Sequence, residues 1–352
     1  MKLLKYIFTL TIALLLPVLP IMAEESSKEE NLDVNELVFG HINDSYGWHI
    51  ATFGNTHVNI PLPVIVYSND TGWHLFSSSR LHEGEYEGLY ISKAGKYEGK
   101  IVEKNTQGTE VRPFDISITK NVMGLFINST ILVLIVLGCV KWYKKHSIEQ
   151  EAPNGCVGIM ESLILMIYDE VIKGCVGPDY KKYAPYLLTA FFFILINNLM
   201  GLVPIFPGGA NVTGNIAITI ILALFTFIMI NVFGTKEYWK EIFWPDVPMF
   251  LKAPLPIMPL IEFFGIFTKP LALLIRLFAN IMAGHAIILS LVSIIFITVK
   301  LGPAVNASMT FASVLFSIFM TTLEVLVAFI QAYVFTMLSA VFIGMSRVKE
   351  EH

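Results

Sequence analysis

Two long apolar stretches, residues 255–299 and 305–345, contain a small set of ionisable side chains: Glu262, Lys269, Arg276 and His285 in the first and Glu324 in the second. A charged group at mid-bilayer costs at least about 2.5 kcal/mol on insertion scales, so each is a functional candidate by default. Glu262, Lys269 and Arg276 follow at intervals of seven, which puts them on one side of a helix. For Glu262 and Lys269 a plainer reading is a snorkelling edge that faces the cytoplasm. Arg276 is different, because arginine keeps its proton at any accessible pH and is here a fixed cation far from either end of its stretch. Asn280, four residues on, shares its face, while His285, nine residues on, is turned about 180° away. On the second stretch Ser317, Glu324 and Gln331 recur every seven residues. Imidazole and carboxyl groups exchange protons and guanidinium does not, so a permanent cation with His and Glu along a membrane path is an inventory for proton transfer.

The elements that must position these residues are membrane elements. The chain has 352 residues, 55% hydrophobic and 15% charged, whereas soluble domains carry about 25% charged residues. A net charge of −4, with no basic block longer than Lys144-Lys145-His146, excludes a nucleic-acid partner. Cys139, Cys156 and Cys175 have no CxxC spacing and offer neither a zinc site nor a disulfide framework; no cofactor or metal motif is present.

Three regions follow from the distribution of charge. Residues 1–23 read as a secretory signal peptide: Lys2 and Lys5, an apolar run from Tyr6 to Leu19, and a small residue at Ala23. Residues 24–118 read as an exported β-rich domain, acidic from Glu24 to Glu36. Alternating segments follow at His57–Ile60 and Val64–Tyr67, with turn signals at Ser68–Gly72 and Ala94–Lys96. His41, His49, His57, His74 and His82 lie here at spacings that match no metal-ligand pattern, so they read as solvated surface side chains.

Residues 119–352 read as an all-α polytopic membrane domain. A first span covers 121–140, an amphipathic surface helix 155–174, and a hairpin of spans 184–204 and 213–233, broken at Pro204, Pro207, Gly208 and Gly209. Each of the last two stretches would reach about 60 Å as a helix, twice the hydrocarbon core, so each is a re-entrant hairpin or a tilted, bent helix. Counted singly they give about five crossings, with the N-terminal domain exported and the C-terminus cytoplasmic. Lys141, Lys144, Lys145, Lys181, Lys182, Lys236, Lys240, Lys252, Arg347 and Lys349 then fall inside and Lys300 outside, as the positive-inside rule requires.

The run Lys269-Pro270-Leu271-Ala272-Leu273-Leu274-Ile275-Arg276-Leu277-Phe278-Ala279-Asn280-Ile281-Met282-Ala283-Gly284-His285 resembles the signature of subunit a of the F-type ATP synthase. Asn198-Leu199-Met200-Gly201-Leu202-Val203-Pro204, Asn211-Val212-Thr213 and Gln331-Ala332-Tyr333-Val334-Phe335 are similar to that family in order and spacing, and the likeness covers roughly 112–352. The resemblance implies a multi-pass stator subunit of the bacterial inner membrane, partnered by the c-ring rotor, subunit b, the rest of the synthase and membrane lipid. Such a subunit by itself would make or break no bond in ATP. It also implies that Arg276 meets the ring carboxylate with Asn280 and Gln331 as polar neighbours. His285 and Glu324 would line the exported-side proton path, and Glu262 and Lys269 the exit. Many bacterial relatives have Glu where His285 stands and His where Glu324 stands, so the pair is exchanged here, as in mitochondrial members, and many have an Asp where this chain has Gly201. The rival reading, a secondary transporter with Arg276 as an anion site, requires inverted repeats that the sequence lacks. A structural anchor for the exported domain would leave Arg276, His285 and Glu324 without a role.

Overall fold

The computed structural model describes residues 44–347, apart from 54–55, 83, 93–94, 106–107, 147–152, 204–205 and 246–256. The signal peptide at 1–23, the acidic stretch Glu24 to Glu36, His41, Ala94, Pro204, Lys252 and Lys349 therefore lie outside the described residues. The chain packs as two units. One gathers the residues up to Ile127 with Met200–Val212 and Ala286–Thr322; the other gathers Asn128–Leu199, Thr213–His285 and Leu323–His352.

The first unit contains the β-rich domain. Strands β1 (Gly47–Phe53) and β2 (Thr56–Pro61) form an antiparallel hairpin. Strands β3 (Pro63–Ser68) and β4 (Gly72–Ser77) pair through the predicted turn, where Gly72 takes a positive φ of 86°. A second sheet joins β5 (Leu89–Ile91), β6 (Ile101–Lys104) and β7 (Glu110–Val111), and β8 (Phe114–Asp115) returns to lie beside β3. Alternation drives one side inward: Val64, Val66 and Phe76 close a small core with Tyr46, Leu81, Leu89 and Ile101. At its base the Tyr46 hydroxyl donates to Asp115 Oδ2 at 2.5 Å, and burial followed by this carboxylate pushes the phenol pKa up.

His74 departs from the surface reading. It is buried, with Nδ1 2.5 Å from Glu87 Oε2 and Nε2 2.6 Å from Thr71 Oγ1, because its even position on β4 faces the core. The side chains of His49, His57 and His82 lie outside the described residues.

The domain is fastened to the first helix. In α1 (Lys120–Lys145) the Lys120 amide donates to the Ser45 carbonyl, and the Asn121 amide donates to Asp44 Oδ1 at 3.0 Å. Gly124 lies so close to the connection at 206–215, between two later helices, that a Cβ there would stand 2.5 Å from Ala210 Cβ. Trp48 meets Phe206 of the same connection edge-on, with ring centroids 5.2 Å apart.

The predicted surface helix forms as α2 (Cys156–Leu165), continued by a π-helical stretch Met166–Ile172 and by Lys173–Val176. It buries Met160, Ile167, Val171 and Val176 and exposes Asp169, Glu170 and Lys173, as an amphipathic pattern requires. Through a single 3-10 turn it runs on into α3 (Tyr180–Leu202), so that Cys156–Leu202 is one helical path of 47 residues. Asn215 opens α4 (Ile216–Val232) by accepting from the Ala217 amide, and Thr235 likewise caps α5 (Lys236–Phe243), bent 97° from α4.

The two long stretches are single helices, α6 (Ile257–Thr298, 42 residues) and α7 (Pro303–Met345, 43 residues), so neither is a re-entrant hairpin. Among the described residues four helical stretches are long and apolar enough to cross a membrane, or five when the bent α4–α5 pair counts as one span. In the second unit Leu187, Phe191 and Ile194 of α3 share a buried cluster with Leu273, Leu277 and Ile281 of α6 and Ala332, Phe335 and Ile343 of α7.

Candidate functional site

α6 buries Ile266, Leu273, Leu277 and Ile281 at helical spacing, which turns the opposite side outward. On that outward side Arg276 and Asn280 stand one turn apart, both exposed, among the small exposed side chains Ala272, Ala279 and Ala283. Among the described residues Arg276 has no hydrogen bond or ion pair. A cation flanked by alanines leaves room for another helix to approach its guanidinium.

His285 lies on the other side of the same helix, as its nine-residue offset requires. Its Nδ1 is 3.1 Å from Glu324 Oε1, and the two side chains are 17% and 4% exposed. The separation suits a hydrogen bond, but the alignment does not: among the described residues both Glu324 oxygens are buried without a hydrogen-bond partner. Gly284 makes this proximity possible, since a Cβ at that position would fall 2.7 Å from Glu324 Oε1. Glu324 is held inward by the α7 face that also buries Ser317, Thr321, Ala328 and Gln331, which confirms the heptad spacing read from the sequence.

Gln331 is thereby separated in character from Arg276. It is buried, while Arg276 and Asn280 are exposed, and no hydrogen bond joins it to either. Glu262 and Lys269 are half-buried on α6 and form no ion pair among the described residues. The Lys269 ammonium lies 5.9 Å from the Phe342 ring centroid of α7, a cation–π distance that ties down its stem.

Two features escaped the sequence reading. A buried amide chain crosses the second unit. Asn128 Nδ2 donates to Asn197 Oδ1 at 2.9 Å, Thr213 Oγ1 to Asn198 Oδ1 at 2.6 Å, and Asn198 Nδ2 to the Ala328 carbonyl at 3.1 Å, one turn from Glu324. Polar residues at small intervals in apolar helices were the available signal. The second feature is Arg347, whose guanidinium grips Asp179 Oδ2 through Nε at 3.0 Å and Nη2 at 2.5 Å and reaches the Phe233 carbonyl through Nη1 at 2.9 Å. One residue thus joins the end of α7 to the start of α3 and the end of α4, a closure that spacing cannot reveal.

Residues 125–344 match the family described as ATP synthase A chain. The chain is 46% identical over 244 residues to the ATP synthase subunit a of Chlorobium phaeobacteroides, covering 68% of each chain. The chain belongs to the ATP synthase A chain family. It is also 42% identical over 250 residues to the ATP synthase subunit a of Chloroherpeton thalassium, covering 69% of this chain and 70% of that one. Against the ATP synthase subunit a of an Anaeromyxobacter species the identity is 40% over 254 residues, covering 70% of this chain and 58% of the relative. Residues 37–119 match a separate family, described as Domain of unknown function (DUF8433). The A chain match runs from the early turns of α1 to the last turn of α7 and so encloses Arg276, His285 and Glu324.

Proposed function

We propose that the chain is the proton-translocating stator subunit of an F-type ATP synthase, and that it supplies uptake and release half-channels to a rotating c-ring. One observation carries the reading: a single helix of an A chain family member presents on one side an exposed Arg276, without an ion pair among the described residues, and on the other His285, beside the buried Glu324 of α7. Protons enter from the exported side past His285 and Glu324, neutralise a rotor carboxylate, and ride the ring. They leave near Glu262 and Lys269. The fixed charge of Arg276 forces the returning carboxylate to ionise and keeps the half-channels from joining. Asn280 and Gln331 are the polar neighbours of the arginine on the proton path. A proton crossing 100 mV releases about 2.3 kcal/mol, so several must pass for each ATP. No bond in ATP is made or broken here.

We place residues 1–23 as a signal peptide, 24–118 as an exported domain and 119–352 as the membrane domain in the bacterial inner membrane. α1, α3, α4, α6 and α7 are its crossings and α2 lies along the surface. A cysteine near Glu30 is then labelled from outside intact cells and one near Glu351 is not; labelling of both from one side refutes the odd number of crossings. Co-purification with a c-ring, subunit b and peripheral ATPase subunits, with proton pumping in the isolated complex, tests the function itself. A chain that purifies alone and transports a small anion instead returns the secondary-transporter reading.

A further inference from the structure

The sheet formed by β4, β3 and β8 is apolar on both sides. Cross-strand register places Trp73, Tyr67 and Phe114 in one rung of its outward face. Ile65 and Leu75 fall in the next rung, and Ile116 donates its amide to the Ile65 carbonyl alongside them. Val64, Val66, Phe76 and His74 occupy the inward face. An antiparallel sheet with one solvated face alternates apolar-in with polar-out, and this one does not. Trp73 is 62%, Leu75 75% and Phe114 63% exposed, and Tyr67 and Trp73 lie ring to ring at 5.1 Å. No acidic side chain stands among the six.

What covers this face is argued from where the sheet is fastened. Ile116 precedes Lys120, the first residue of α1, by four positions, which span at most about 14 Å. The bonds from Ser45 and Asp44 to the first residues of α1 leave no flexible tether between domain and helix. A span that begins there sets the bilayer surface within about 14 Å of Ile116, beside β8, and Trp and Tyr with aliphatic neighbours are the side chains that settle at that boundary. We propose that the outward face of the β4–β3–β8 sheet docks on the lipid bilayer, with Trp73, Tyr67, Leu75 and Phe114 seated at the headgroup boundary. The inference rests on α1 being a membrane span and not on the proton path.

The test uses the full-length chain with Cys139, Cys156 and Cys175 replaced by serine, reconstituted in phosphatidylethanolamine–phosphatidylglycerol vesicles. Single cysteines at Trp73, Leu75, Phe114 and, as a polar control, the exposed Glu98 carry an environment-sensitive fluorophore. A label at Leu134, exposed midway along α1, reports whether the span reading holds. Nitroxide lipids should quench the labels at 73, 75 and 114 several-fold more than the label at 98, at a depth of about 5–10 Å below the phosphates. An aqueous quencher should do the reverse. Aqueous quenching equal at all four positions overturns the proposal, as does protection from both quenchers, which would mean that a protein surface covers the face. If the label at Leu134 also escapes lipid quenching, the span reading fails and takes the docking with it; if Leu134 is quenched and the sheet is not, docking alone fails.

Discussion

The β-rich domain and the helical unit close their buried neutral polar groups alike and differ in their ionisable ones. Among the described residues the domain closes its buried phenol and imidazole on neighbours: Tyr46 on Asp115, and His74 between Thr71 and Glu87. The helical unit closes its amides in the same manner, Asn128 on Asn197 and Thr213 on Asn198. Among the described residues it closes Arg347 on Asp179 but leaves two ionisable groups open: both Glu324 oxygens are buried without a hydrogen bond, and Arg276 stands exposed with no ion pair. Closed groups stabilise a fold, because a buried donor or acceptor left alone costs about 1–3 kcal/mol. The buried Glu324 carries that penalty in the resting chain until something such as a proton or a water arrives, whereas Arg276 stands exposed and bears no such burial cost. The contrast separates what holds the molecule together from what it does.

The contrast fails at its strongest point if Arg276 is dispensable. Arg276→Ala should reduce ATP-driven proton pumping to background and add a passive leak. Arg276→Lys should also abolish coupled pumping, because an ammonium is strongly hydrated and can lose its proton when desolvated. Pumping measured by fluorescence quenching in inverted vesicles decides this, and normal coupling in either variant removes the gate from this residue.

The open pair is the next target. Glu324→Gln should slow proton uptake while the complex still assembles, and His285→Glu joined with Glu324→His should recover part of the rate that either single change loses. A double variant no better than the worse single one, in assembled complex, means that the two residues are not a pair. Gly284→Ala is the finer instrument. The added methyl would meet only the far end of a flexible side chain, so the helices keep their packing while the Glu324 carboxylate swings away from His285. Unchanged assembly with a partial loss of rate is the expected result; a loss of assembly would make Gly284 a packing residue instead.

How much of this was legible in the sequence divides along the same line. Heptad spacing was enough to place Glu324 with Ser317 and Gln331 on a buried face and to turn His285 away from Arg276, because one helix period governs both. The strands at His57–Ile60 and Val64–Tyr67 were legible from alternation. The burial of His74 was missed because its partner Glu87 is thirteen residues away, across a helical turn. The length of the α2–α3 path was missed because the charges of α2 read as a boundary, whereas they are only its exposed side. Gln331 as a neighbour of Arg276 came from the resemblance alone, and its burial beside Glu324 on one side of α7 was the part that spacing made legible.

The smallest expected effect concerns the closed side of the comparison. The hydrogen bond from His74 holds the Glu87 carboxyl pKa below its ordinary 4.5, and Nδ1 can donate that bond whether or not the imidazole also carries its second proton. A carboxylate whose folded pKa lies below its unfolded one adds stability above the unfolded value, and loses it as pH falls through the folded value. Wild-type β4 amides in the full-length chain should therefore be more protected from hydrogen exchange than those of Glu87→Gln at neutral pH, after correction for the intrinsic rate. The gap should begin to close below 4.5 and vanish once Glu87 is protonated in the folded chain. Because Glu87 is itself exposed, the difference is small, and its pH dependence is the informative part. A gap that stays constant with pH would mean that Glu87 acts by packing or backbone geometry. The β-rich domain would then not be held by closed polar pairs in the way that separates it from the helical unit.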